Sequence, residues 1–361
     1  MEVKLFGDAY RGRRILLTGH TGFKGSWLAR WLHKLGAEVT GLSLDPATSP
    51  NHWDLLELDI DDRRVDIRDF PGVLDAFESS RPEIVFHLAA QPLVRRSYRA
   101  PLETWSTNVL GTAHVLEAAR LTTGVRAIVI VTTDKVYENR EWPWGYRETD
   151  RLGGHDPYSA SKAASELVSS SYRDAFFNVD TPVLLATARA GNVIGGGDWS
   201  EDRLLPDLVR AVSGQETLEI RSPDATRPWQ HVLDCLSGYL LVGEQLLNGH
   251  EESARGWNFG PDPDSNRSVR NVLSDMQTVW PDLNWKITTT PQPHEAQLLY
   301  LDSAAARSCL HWRPIWDLQE SVYATAAWYR TYLADGRVIT QQQIDDYIMK
   351  ASQVECAWAV A

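Results

Sequence analysis

Apolar residues in the first two hundred positions alternate between two periods. The segment "RRILLTGHTGFKGSWLARWLHKLGAEVTGLSLDP" (13–46) opens on the short apolar run Ile15 to Leu17. Trp27, Leu28, Trp31, Leu32 and Leu35 then recur three and four residues apart, which marks one face of a helix. Gly36 ends that helix, and "EVTGLSL" resumes as a strand. The alternation continues with strands at "EIVFHLAA" (83–90) and "RAIVIVTT" (126–133), and helices at "TNVLGTAHVLEAAR" (107–120) and "YSASKAASELVSSSYRDAF" (158–176). "PVLLATARAGNVIG" (182–195) begins as a further strand. Strands alternating with helices predict an α/β fold built on a doubly wound, mostly parallel sheet. After about residue 195 the alternation breaks, and "RSPDATRPWQH" and "NFGPDPDSNRS" are polar and loop-rich. The expected division is a nucleotide-binding domain over 1–194, completed by later segments at about 225–260, and a smaller C-terminal lobe over 195–361. No internal repeat or low-complexity tail appears, and the last 25 residues carry no interpretable motif.

Composition narrows the function. A chain of 361 residues that is 43% hydrophobic has the material for one large α/β domain or two in close contact. A formal charge of −12 argues against a nucleic-acid backbone as partner, so an anionic ligand must be held by local groups. Cys235, Cys309 and Cys356 are sparse, odd in number and without a CxxC, which reads as reduced thiols. The N-terminus has no apolar signal region, and no 18-residue apolar run occurs. A cytoplasmic protein with no membrane partner is expected. Neither HExxH nor paired CxxC is present, so no metal site is expected.

Candidate chemistry begins in the first turn. "TGHTGFKG" spaces Gly19, Gly22 and Gly25 as GxxGxxG, with Thr21, Phe23 and Lys24 between and beside them. Small residues between a strand and a helix let the backbone approach a pyrophosphate, and the helix N-terminus offers unpaired N–H groups. The plain alternative is an ordinary strand-to-helix turn. Asp45 follows the second strand about 20 residues later, where a carboxylate suits a ribose 2′-hydroxyl and favours NAD over NADP. Its plain alternative is a turn residue before Pro46. Asp66 and Ile67, in "VDIRD", are candidates to flank the adenine.

"HDPYSASKAASE" places Tyr158 and Lys162 four apart on one helical face. A nearby ammonium stabilises a phenolate, so the tyrosine can serve as a base. The plain alternative is two surface residues of an amphipathic helix. Thr133 ends the preceding strand, where open α/β sheets place ligands, and its hydroxyl can meet a sugar hydroxyl beside Tyr158. Asp134 and Lys135 follow at once, and a carboxyl beside an amine at a buried strand end asks for a reason. The plain one is a simple ion pair or a solvent-facing lysine. His20, His87 and His231 read as loop or strand-end histidines that support the fold. Most of the fifteen tryptophans read as core, and "EWPWGY" (141–146) as a roof over the site.

Together these features resemble the extended short-chain dehydrogenase/reductase family, over essentially the whole chain. "HLAAQ" (87–91), Asn108 and "RAGNVIGGGDW" (189–199) match it as well. The resemblance implies a Rossmann sheet with a smaller C-terminal substrate-binding lobe, bound NAD, and a nucleotide-sugar substrate. It assigns Leu88, Ala89 and Ala90 to the cofactor, and Gln91 and Asn108 to the substrate. Arg203 in "EDRLLPD" and Arg227 in "TRPWQHV" become the candidates for the substrate pyrophosphate, since arginine matches phosphate oxygens bidentately. Asn192 is a donor to phosphate or sugar. Within the family, 4,6-dehydratases carry an acid and a base after the threonine, so Asp134 is implied as acid and Lys135 as base. Both need shifted pKa values, which burial favours and their mutual attraction opposes. The longer matches, among them "LAAQPLVRRSY" and "TTDKVYENREWPWGYRETDRLGGHDPYSASKA", imply a cytidine diphosphate sugar. A homodimer or homotetramer is implied, paired through helices at about 101–120 and 158–177. The competing expectations are a nucleotide-sugar 4-epimerase, a dehydratase of another nucleotide sugar, and a non-catalytic NAD-binding sensor.

Overall fold

The apolar runs form the buried strands of one large sheet. The computed structural model describes residues 4–177, 183–220, 222–288 and 298–360. Its strands, in chain order, are β1 (Arg14–Thr18), β2 (Glu38–Ser43), β3 (Asp61–Arg64), β4 (Ile84–His87), β5 (Ala127–Val131) and β6 (Leu184–Ala190). Then come β7 (Asn192–Ile194), β8 (Leu218–Ile220), β9 (Thr226–His231), β10 (Gly256–Phe259), β11 (Asn266–Ser268) and β12 (Trp285–Ile287). Seven of them form one sheet in the order β10-β6-β5-β4-β1-β2-β3, and every pairing is parallel.

A parallel sheet is covered on both faces, so its central strands read as continuous apolar runs. All five residues of β5, "AIVIV", are buried. Alternation along the strands then splits the core in two. Ile15, Leu17, Ile84, Phe86 and Val129 face the helices Phe23–Lys34 and Val232–Leu247, with Trp27, Trp31 and Leu236. Leu16, Val85, Ile128 and Ile130 face the helices Phe70–Ser80 and Gly111–Leu121, with Phe77, Val115 and Leu116.

The structure departs from the sequence expectations in four places. The segment expected as one strand from 182 splits at Gly191, where a side chain would meet Pro228 at 2.7 Å. There the chain leaves the large sheet, and β7 joins β9 and β11 in a second one; residue 182 itself lies outside the described residues. The strand expected over 83–90 ends at His87, which leaves Leu88, Ala89 and Ala90 as a loop. The helix expected from 107 starts at Pro101 and contains a π turn over Ser106–Leu110, a deformation frequent at functional sites. Finally, β3 is "DDRR", whose polar pattern gave no strand signal; it is the charged edge of the sheet.

The later segments complete both layers. β10 adds the far edge of the large sheet, and helix Val232–Leu247 covers it. β8 and β12 pair beside the helices Leu204–Ser213 and Val269–Val279. The C-terminal stretch without a motif forms the helix Thr340–Gln353 and a final turn. Trp358 there stacks on Phe6, with ring centroids 4.8 Å apart, so the two ends of the chain are packed together. Tyr347 on the same helix donates to Asp234 at 2.7 Å, and burial raises that carboxyl to about 7. Among the described residues no helix is long and apolar enough to cross a membrane.

Candidate active site

The glycine loop lies at the C-terminal end of the sheet, between β1 and β4, where strand order reverses. Gly19 has φ +76°, and a side chain on it would meet the Ala89 nitrogen at 2.6 Å. A side chain at Gly25 would meet the Gly19 carbonyl oxygen at 2.0 Å. Loop, helix and the 88–90 segment thus close on one another only without side chains. Gly22 caps helix Phe23–Lys34 with no side-chain hydrogen bond, so the first-turn N–H groups stay open for a phosphate. Thr21 ties the loop to β2 through the Ser43 hydroxyl (2.7 Å) and the Leu44 carbonyl (3.0 Å). Asp45 lies just past β2, exposed, with Arg64 3.5 Å away. The cradle fits a dinucleotide: open N–H donors at its centre and a carboxylate at its outer end.

The other half of the site is the end of β5. Thr133, Asp134, Lys135 and Tyr158 line one cleft of about 990 Å3, together with Lys24, Asn192, Arg203 and Arg227. Helix Pro157–Ala175 brings Tyr158 there; Asp156 caps it by accepting from the Ser159 N–H at 2.9 Å. Thr133 donates to the Asp134 carboxylate at 2.9 Å. Asp134 is buried, while Lys135 is half-buried and its ammonium has no ion-pair partner among the described residues.

The electrostatics of the Tyr158–Lys162 pair differ from the sequence expectation. Burial pushes the Tyr158 phenol up to about 12; Thr133 and Arg203 pull it back, and Asp134 adds to the rise. Lys162 donates to the Val131 carbonyl at 3.0 Å, and burial followed by the charge of Lys24 lowers it to about 8. Desolvation of the phenol therefore outweighs the pull of Thr133 and Arg203.

The remaining candidates divide. Arg203 sits at the start of helix Leu204–Ser213, 3.3 Å from Asp198. Arg227, on β9, is buried and donates to the Thr226 carbonyl. Gln91 and Asn108, expected at the substrate, lie outside the residues that line the cleft. Asn108 accepts from the Gln91 N–H (2.8 Å) and donates to the Gln91 carbonyl (3.1 Å) and Ser161 Oγ (2.8 Å). The Gln91 amide donates to Thr104 and accepts from the Leu93 N–H. Both amides brace the floor beneath the site, their polar atoms already engaged. Asp66, expected near the adenine, is paired with Arg68, which holds its carboxyl low; Ile67 is buried, its carbonyl 2.9 Å from His114 Nδ1.

The histidines support the fold. His87 bridges Thr18 and Thr112, His20 meets Asp62, and His231 accepts from the Leu233 N–H at the start of its helix. Of the segment 141–146, expected as a roof, only Glu141 lines the cleft; Tyr146 stacks on Tyr137, and Trp142 packs on Tyr146 at a tilt. No group of His, Cys, Asp and Glu among the described residues could hold a metal ion.

One supporting network escaped the sequence reading. Glu166, one turn beyond Lys162, is buried and accepts from Arg189 through both oxygens (2.9 and 2.8 Å), from Thr132 at 2.5 Å and from Thr187 at 2.6 Å. Arg189 also donates to Tyr137 at 2.6 Å. The pair locks β5, β6 and the active-site helix at the level of Thr133. The signal was present: Glu166 shares its helical face with Tyr158 and Lys162.

A protein of Salmonella typhimurium named CDP-glucose 4,6-dehydratase is 44% identical over 348 residues, covering 94% of this chain and 97% of that protein. The dTDP-glucose 4,6-dehydratase of Streptomyces antibioticus is 32% identical, covering 88% and 92%. Among solved structures, the UDP-glucose 4-epimerase of Thermus thermophilus in complex with NAD superposes with a TM-score of 0.76 at 25% identity, covering 88% and 99%. Residues 15–255 match a family defined by the NAD dependence that the cradle between β1 and β4 fits. With its parallel sheet, glycine loop and Tyr158–Lys162 pair, the chain belongs to the NAD dependent epimerase/dehydratase family.

Proposed function

We propose that this chain dehydrates CDP-glucose to its 4-keto-6-deoxy sugar. The observation that carries this reading is the Thr133-Asp134-Lys135 turn, two residues past the end of β5, facing Tyr158 across one cleft. Epimerisation at carbon 4 has no use for an acid and a base there. Bound NAD, held by Gly19 to Gly25, Asp45 and the 88–90 loop, supplies a hydride acceptor at carbon 4 and a donor at carbon 6.

In its ionised form Tyr158 Oη takes the proton of the 4-hydroxyl, which Thr133 orients; the positive charge of an oxidised dinucleotide in the cleft would offset the burial that raises the phenol. Once carbon 4 is a carbonyl, the hydrogen on carbon 5 is acidic. Lys135 removes it, and Asp134 delivers a proton to the departing 6-hydroxyl, so water leaves across carbons 5 and 6; when carbon 6 receives its hydride, the proton held by Lys135 returns to carbon 5. Arg203 and Arg227 hold the pyrophosphate, and Asn192 donates beside them. Two arginines, with the neutral amide of Asn192 beside them, give the anion its local cationic seat in an acidic protein.

We read residues 1–194, with about 225–260, as the NAD-binding unit and the rest as the nucleotide-sugar lobe, in a cytoplasmic protein. The copies pair through the helices at 101–121 and 157–175, where Leu102, Leu110, Leu121 and Leu167 are exposed. Sedimentation should give twice the chain mass, or four times it if the dimers pair. A monomer at micromolar concentration would discard the pairing.

The test of the reaction uses CDP-glucose deuterated at carbon 4, with no added reductant. Deuterium at carbon 6 of a 4-keto-6-deoxy product is the expected result. Deuterium kept at carbon 4 of an inverted sugar would make the chain an epimerase. Unchanged CDP-glucose, with turnover of the thymidine or guanosine sugar, would move the base assignment. Lys135→Met should lose at least about 100-fold in elimination while still exchanging hydride at carbon 4. Full dehydration by that variant would remove Lys135 as the base.

A further inference from the structure

The proposed seat for the substrate pyrophosphate has a carboxylate built into its wall. Asp198 lines the cleft beside Arg203 and is only 5% exposed. A buried negative charge works against an anion site unless it serves another purpose there. Asp198 is held firmly. Its Oδ1 accepts from the Ser200 N–H at 2.9 Å, and its carbonyl accepts from the Tyr329 hydroxyl at 2.6 Å. Its Oδ2 accepts from Arg203 Nη1 at 3.3 Å. The turn that carries it is tightly packed. A side chain on Gly196 would meet the Trp328 ring at 2.0 Å, and the Gly196 carbonyl accepts from the Trp27 indole at 2.9 Å. Trp199, next along, packs edge-on against Trp328, Tyr329 and Tyr332. Arg203 is half-buried, and its side chain does not cap helix Leu204–Ser213, which it precedes. Its long side chain is therefore the movable member of the pair and Asp198 the fixed one. The other acids of the segment, Glu201 and Asp202, pair instead with Arg99 and Arg95.

We infer that Asp198 is a positioning residue, its fixed carboxylate holding the Arg203 guanidinium in the orientation that receives the substrate pyrophosphate. The inference rests on the reading of Arg203 as a pyrophosphate ligand. A guanidinium presents its N–H donors in one plane as a rigid fork. The bond to Asp198 engages Nη1, which leaves Nε and Nη2 to meet phosphate oxygens. An unanchored arginine gives up its rotamer freedom each time a diphosphate binds, at a cost in affinity. Anchored to Asp198, it has given up part of that freedom before the ligand arrives. The carboxylate also repels the phosphates, so it helps binding only through Arg203. That dependence separates positioning from a merely structural role.

Calorimetry on the NAD-loaded protein tests this, with CDP and cytidine titrated into wild type, Asp198→Asn, Arg203→Met and the double variant. Asparagine keeps the shape and an acceptor for the Ser200 N–H, and removes the charge. UDP, dTDP and GDP with their nucleosides are titrated in parallel. The pair that binds wild type most tightly is the one compared, so an error in the base assignment leaves the test standing. Asp198→Asn should weaken the diphosphate roughly tenfold and leave the nucleoside within about twofold. In the Arg203→Met background the same change should not weaken the diphosphate, since only repulsion is left to remove. An equal loss in both backgrounds, or a loss shared by the nucleoside, overturns the inference and makes Asp198 a structural residue of its turn. Tighter diphosphate binding by Asp198→Asn alone also overturns it, because repulsion then outweighs orientation. Wild-type diphosphate affinity in Arg203→Met removes the pyrophosphate reading of Arg203 itself, and the inference with it. Asp198→Ser, smaller and also neutral, is compared alongside so that a packing defect in one variant does not decide the outcome, and melting curves confirm that each variant is folded.

Discussion

Tyr158→Phe should lower the rate of CDP-glucose dehydration by about 1,000-fold while NAD binding changes little. The ring stays and only the oxygen that takes the 4-hydroxyl proton is lost. Tyr158 is nearly buried, beside Thr133 and Asp134, so no solvent base has free access to that proton. Steady-state rates with the 4-deuterated substrate, alongside NAD titration, would read both quantities. A variant that keeps more than a tenth of the wild-type rate would remove Tyr158 from the chemistry. The same pair shapes the pH profile. Lys162 is lowered to about 8, so its ammonium is present below that pH and disappears as pH rises through it. The value of kcat/KM should therefore fall above about pH 8, and Lys162→Met should lack that limb. A flat profile to pH 9.5 would exclude the ammonium.

Breaking the Glu166–Arg189 pair should give the largest loss of stability. Both side chains are about 5% exposed, and each oxygen of Glu166 is engaged twice. Removing one partner leaves the other charge buried and unpaired, which typically costs about 3–5 kcal/mol. Arg189→Met should therefore melt roughly 5–15 °C below wild type. Glu166→Leu combined with Arg189→Met should recover part of that loss, because no lone charge remains. Recovery stays incomplete because Thr132, Thr187 and Tyr137 lose their partners as well. A double variant less stable than either single one would show that the pair itself stabilises the fold. Activity should fall further than stability in the single variants, because Thr132 is the neighbour of Thr133.

The sequence by itself determined the architecture and the placement of Tyr158 and Lys162 on one helical face. The switch between apolar runs and helical spacing specifies a parallel sheet, because strands covered on both faces need continuous apolar residues. Glycines between strand and helix, and Tyr158 one turn before Lys162, are local patterns read within a few residues. Tertiary structure alone decided which polar side chains reach the cleft. Gln91 and Asn108 lie 17 residues apart and bond to each other outside the residues that line the cleft. Lys24 meets Tyr239 across 215 residues, and Tyr347 meets Asp234 across 113. These pairings come from helices packed on one face of the sheet, and local periodicity carries no record of which distant residue will be opposite. The charged edge β3 was hidden for a related reason. A strand held by backbone hydrogen bonds at a sheet edge needs no apolar alternation, so its sequence shows none.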